Sequence, residues 1–134
     1  MIIFVSYLSG VITINYNTFN MSKRDDLIEK YAADIKDKFG EDADMDLLKK
    51  VTVGLGPSIY NIDASKVSGS DQKELDTVKN NYLIKKLGLP DNAKLDEALA
   101  TVMDKYGSSN RNKHRAVIYY KLCQHFNKAS VYDK

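Results

Sequence analysis

The stretch PDNAKLDEALATVMDKYG, Pro90 to Gly107, decides the fold class. Pro90, Asp91 and Asn92 reopen the chain. Leu95, Ala98, Leu99, Val102, Met103 and Tyr106 then recur at steps of three and four, one apolar stripe of about three helical turns before Gly107. A helix with one greasy face needs other helices to cover it.

The flanking segments supply them. Upstream, a helix is expected after Ser70 as its cap, with Asp71 and Glu74 in a first turn where the helix dipole favours anions. It carries Leu75, Val78, Tyr82 and Leu83 before Lys85, Lys86 and Gly88. Further upstream, Asp44 can cap a segment through Leu47, Leu48 and Val51 that ends at Gly54. Another runs from Ser22 and Asp25, a weak capping pair, through Leu27, Ile28, Tyr31, Ile35 and Phe39 to Gly40. Downstream, a fifth helix follows the polar turn Gly107 to Asn110, with Val117, Ile118, Leu122 and Phe126 on one side. No period-two alternation persists after residue 20 and no internal repeat is visible, so an all-α single domain of about five helices over residues 21–134 is expected.

Two glycines and a proline in VTVGLGPSIYN, Val51 to Asn61, invite comparison with a phosphate-binding loop. Such a loop has four residues between its glycines, a lysine after the second, and a strand before the first. Here Gly54 and Gly56 have one residue between them, and Lys49 and Lys50 precede them. A structural corner accounts for the same residues: Gly54 takes the left-handed conformation that closes a helix, Gly56 sits at a cap, and Pro57 opens a short turn over Ser58 to Tyr60. Asp63 and Glu74 stand at the first and twelfth positions of a calcium loop. Val67 at the fifth and a serine in place of the sixth-position glycine leave too few oxygens for the ion.

The first twenty residues, MIIFVSYLSGVITINYNTFN, carry no charge, unlike everything after them. They lack the basic start and small-residue cleavage site of a signal peptide, and the apolar run falls short of the roughly 20 residues of a membrane span. Residues 1–20 are read as an N-terminal extension from an upstream start, with Met21 as the biological beginning; an arm that docks on the domain or on a second subunit is the alternative.

Composition bounds the function classes. At 134 residues with 43% apolar side chains, the chain can bury a core without metal or disulfide. Cys123 is the lone cysteine, which fits a reducing compartment, so cytoplasm is expected and a membrane location is not. The net charge of +2 is small but unevenly spread: Lys105 to Tyr132 holds six bases and no acid, while the chain up to Asp104 sums to −4, 13 bases against 17 acids.

Catalytic residues are scarce. His114 and His125, eleven apart on the fifth helix, would sit about 16 Å apart along its axis and cannot share an ion. Cys123 and His125 point to opposite sides of the helix; a buried cysteine and solvated or core-edge histidines are expected. No catalytic residue, metal or cofactor is assigned. The remaining signal is SSNRNKHR, which places Asn110, Arg111, Lys113, His114 and Arg115 at the start of the fifth helix in the outline of a helix-turn-helix unit. Those residues are the candidates for anion or nucleic-acid binding, with the helix start facing phosphates. Pairing of this segment with the acids of the first helix (Asp25, Asp26, Glu29, Asp34, Asp37) would instead spend the charge on assembly.

The ordered segments MSKRDDLIEKYAADIKDKFG, DMDLLKKVTVGLGPSIYN, SGSDQKELDTVKNNYLIKKLGL and KYGSSNRNKHRAVIYYKL resemble a bacterial family known as domain of unknown function 2853. The likeness covers about Met21 to Tyr132, and LGPSIYN and SNRNKHRA are its most distinctive parts. It implies a compact helical domain beginning near Met21 and supplies no activity, ligand or catalytic residue. The expected function is a non-catalytic binding or protein-interaction module whose partner is another protein or a second copy. The alternative is a nucleic-acid-binding accessory protein. An enzyme with a small anionic substrate near Gly56, Ser58 and Arg111 is the third reading, without a positioned base or nucleophile to support it.

Overall fold

The computed structural model describes the backbone from Tyr16 to Asp133 and side chains from Lys23 onward. The expectations for residues 1–15 lie outside this range. The all-α architecture is as expected: α1 (Tyr16–Phe39), α2 (Met45–Leu55), α3 (Gln72–Thr77) running on into a π-helical segment (Val78–Lys86), α4 (Ala93–Tyr106) and α5 (Arg115–His125). Short 3-10 turns cover Gly56–Tyr60 and Ala129–Tyr132.

The expected stripe of α4 is the heart of the molecule. Leu95, Ala98, Leu99, Val102, Met103 and Tyr106 are all buried, and Asn92 caps the helix by accepting the Lys94 N–H. Ile28, Tyr31 and Ile35 of α1 and Val117, Ile118 and Leu122 of α5 join it in the core, and Leu48 and Val51 of α2 extend that core against α5. The face that α4 could not cover alone is thus shared by one continuous core.

Several boundaries differ from the sequence reading, each for a local reason. The first helix starts at Tyr16, not at Ser22; no glycine or proline interrupts the chain between them, so nothing ends the helix there. Helix α2 continues through Gly54 and is closed by Gly56, whose φ of 67° is the left-handed value expected of Gly54. Asp44 caps α2 as expected, accepting the Leu47 N–H at 3.2 Å, and Pro57 opens the 3-10 turn. Asp71, not Ser70, caps α3, its carboxylate accepting the Lys73 N–H at 3.0 Å.

The π segment was not anticipated. Its wider turn places Val78, Tyr82, Leu83 and Leu87 in the core, at steps of four and five that an α-helix would not keep on one face. The Leu87 N–H donates to Tyr82 O, five residues back, at 2.9 Å.

Candidate functional site

Gly107 to Asn110 form the expected polar turn, with the Asn110 N–H donating to Gly107 O at 3.0 Å, but Arg111 to His114 continue as loop, correcting the expectation that they open the fifth helix; α5 begins only at Arg115. Contacts far apart in sequence hold it open. The Val67 N–H donates to Lys113 O at 2.9 Å and the Arg115 N–H to Ser65 O at 2.7 Å, a single antiparallel bridge between two loops. From the other side, the Tyr106 hydroxyl accepts the His114 N–H at 3.1 Å and donates to the Asp34 carboxylate. With its backbone so engaged, the loop cannot close helical bonds on itself.

Each candidate side chain is thereby assigned a place. His114 is buried against the Tyr31 ring, with centroids 5.2 Å apart. Burial holds its imidazole pKa below the ordinary value, opposed by Asp34 and reinforced by Lys30 and Lys66. Arg115 turns inward, donating to Ala64 O at 2.8 Å and facing Glu74 at 3.5 Å. Asn110 closes the turn: its Oδ1 accepts the Asn112 N–H and its amide donates to Tyr106 O. Arg111 is exposed. Lys113 is only 3% exposed and donates to Asn110 O at 2.5 Å.

The alternative pairing of α1 acids with this segment, within one chain, does not occur as ion pairs among the described residues; Arg115 meets Glu74 of α3, and Asp34 meets Tyr106, which in turn accepts the His114 N–H. The two histidines are also unlike one another, since His114 is buried and His125 exposed. Cys123 is buried as expected, and burial pushes its thiol pKa up. Among the described residues no three histidine, cysteine or acidic side chains gather as metal ligands.

The bridged loops form one wall of an open groove of about 1320 Å³. Ile62, Val67, Leu75, Leu99, Ala100 and Met103 are its apolar lining, Ile62 the most exposed of them. Asp76 on α3 and Asp96 and Asp104 on α4 line the acidic side; Ser68, Gly69, Ser70, Arg111 and Lys113 line the loop side. Gly56 and Ser58 are not among its lining residues, so the structure does not gather the anion site suggested around them and Arg111. Ser58 is instead engaged with Leu55 O at 2.9 Å.

A family described as "Protein of unknown function (DUF2853)" matches residues 30–130. The chain belongs to this family. No curated protein matches it. The groove, both bridged loops and all of α2 to α5 fall inside the matched region, so this DUF2853 member carries its candidate site within the part it shares with its family.

Sequence reasoning named Arg111 and Lys113 but missed the groove. Its helical wall, the groove-facing surfaces of α3 and α4, is composed of ordinary helix residues. A second, smaller cleft of about 190 Å³ lies between Gly54, Lys86, Tyr119 and Tyr132. Tyrosines fill its surroundings: Tyr82 and Tyr119 stack at 3.9 Å, and the Tyr82 and Tyr132 hydroxyls are 2.8 Å apart. No helix among the described residues is long and apolar enough to cross a membrane.

Proposed function

We propose that this protein is a non-catalytic binding module of the cytoplasm whose groove holds a segment of a partner protein. The groove between α3, α4 and the two bridged loops carries this reading. At about 1320 Å³ it exceeds the roughly 300–1,000 Å³ of small-molecule pockets, and it is open to solvent, as a docked polypeptide segment requires. Its chemistry suits such a segment: apolar side chains below, carboxylates on the helical side, and cations on the loop side.

The same lining argues against nucleic acid. Five acids (Asp63, Glu74, Asp76, Asp96, Asp104) face the groove against three bases (Lys66, Arg111, Lys113), which would repel a phosphate backbone. Against catalysis, no histidine or cysteine lines the groove among the described residues, and the Ser68 and Ser70 hydroxyls, 3.3 Å apart, face each other without a base to activate either.

Ala100 is exposed on α4 and lines the groove, so Ala100→Arg fills it without touching the core. A partner recovered with the wild-type protein, and cross-linked through a photoreactive side chain at position 100, should be lost in Ala100→Arg and kept in Lys94→Ala, which lies outside the groove. Equal recovery by the Ala100→Arg variant would overturn the reading.

A further inference from the structure

Lys113 stands out among the charged side chains. It is 3% exposed, yet no carboxylate among the described residues pairs with it; its ammonium group donates to the Asn110 carbonyl alone. Buried cations are normally neutralised by an acid, because burial without a counter-charge disfavours the charged form. Desolvation accordingly lowers the Lys113 pKa, and no acid offsets it. Other lysines of this protein follow the usual pattern: Lys79 lies between Asp91 and Asp96, Lys50 between Asp46 and Asp133, and Lys121 meets Glu41.

The surroundings of Lys113 explain what could supply the missing charge. Its Nζ lies beneath Gly69, where an added Cβ would come within 3.5 Å of it. The Ser68 and Ser70 hydroxyls flank that glycine on the groove surface, and Arg111 lines the same wall with no ion pair among the described residues. A buried ammonium, an exposed guanidinium and a hydrogen-bonded serine pair with one hydroxyl proton left to donate are the donor set of an oxyanion site. Of the five acids that line the groove, Glu74, Asp76, Asp96 and Asp104 are on the helical side and Asp63 is in the loop.

We infer that the loop end of the groove is an oxyanion subsite, built on Lys113 and Arg111 with Ser68 and Ser70, that takes a carboxylate or phosphoryl group. The inference rests on the reading of the groove as a binding site and names the group that anchors its occupant. Lys113 supplies the fixed charge, Arg111 the planar fork, and the serine pair the neutral donor. Gly69 is glycine so that the anion can approach Nζ; its backbone is not in the left-handed region, so its lack of a side chain serves space and not conformation.

The test is an NMR titration of the full chain with inorganic phosphate and, separately, acetate, following the Gly69, Asn110 and Lys113 amides. Either ion should shift these resonances saturably, and the one that binds more tightly identifies phosphoryl or carboxylate as the natural group. Lys113→Met keeps the buried stem and removes the charge. Gly69→Ala keeps the charge and fills the approach. Both should weaken binding about tenfold or more, the scale of one charge-assisted hydrogen bond, with the rest of the spectrum unchanged. No saturable shift with either ion in the wild-type protein would overturn the inference, as would shifts that persist undiminished in both variants. The titration needs no partner protein: anion binding with no groove-dependent partner sinks the proposed function and leaves the subsite standing, and the converse result does the opposite.

Discussion

Removing one hydroxyl, by Tyr106→Phe, should cost this protein a large share of its stability. The ring itself is retained and keeps its contact with Phe39, 5.4 Å between centroids. Two polar groups lose their partner: the His114 N–H, in a buried setting, and the half-buried Asp34 carboxylate. An orphaned buried N–H costs about 1–3 kcal/mol, and the carboxylate, which water can reach, about 1 more, giving about 2–4 kcal/mol in all. With a urea slope of roughly 1.5 kcal/mol/M for a domain of this size, the midpoint should fall by about 1.3–2.7 M. Urea unfolding followed by circular dichroism reads this directly. Tyr119→Phe is the control, since its hydroxyl accepts only a long bond from Arg115 at 3.4 Å and lies partly exposed; its midpoint should move by less than about 0.3 M. Equal midpoints for the two variants would refute the claim that Tyr106 fastens the loop to the core.

Three further outcomes are expected. Gly56→Ala should destabilise by about 1–2 kcal/mol, because φ is 67° there, whereas Gly54→Ala, inside α2 with its new methyl 3.5 Å from Tyr132, should be neutral or stabilise by up to about 1 kcal/mol; thermal unfolding distinguishes them. The His114 imidazole has a folded pKa below its unfolded value, so the unfolded chain binds more protons and stability drains as pH falls below about 6.5. Unfolding curves against pH should show this slope, and His114→Gln should flatten it relative to the wild type, with Asp34, Lys30 and Lys66 as the charges that tune it. Cys123, buried with its thiol pKa raised, should react with a disulfide reagent only at the rate of unfolding, so fast stoichiometric labelling of the native protein would contradict its placement.

The parts of the fold that were legible are those encoded locally. The α4 stripe, the Asp44 cap and the Pro57 turn need only neighbours within a few residues, and the structure has them where the spacing puts them. Arg111 to His114 read as a helix start because Asn, Arg and Lys there are compatible with one. Their extended form is imposed by Tyr106 and by Ser65 and Val67, dozens of residues away in the latter cases, and pairing at that separation leaves no periodic trace. The π segment was illegible for a related reason: Leu75, Val78, Tyr82 and Leu83 fit an α-helix, and only the burial of Leu87 along with them calls for the wider turn. As for the site, the sequence shows that Arg111 and Lys113 are basic but not that one is exposed and the other buried beneath Gly69.

The most direct test of the oxyanion subsite is the titration of the Lys113 ammonium itself, observed by side-chain NMR with and without inorganic phosphate. Without phosphate it should lose its proton below the ordinary lysine value of 10.5, and phosphate should raise that midpoint, because an anion beside the ammonium favours the charged form. A Lys113 that titrates at its ordinary value and ignores phosphate would contradict the account.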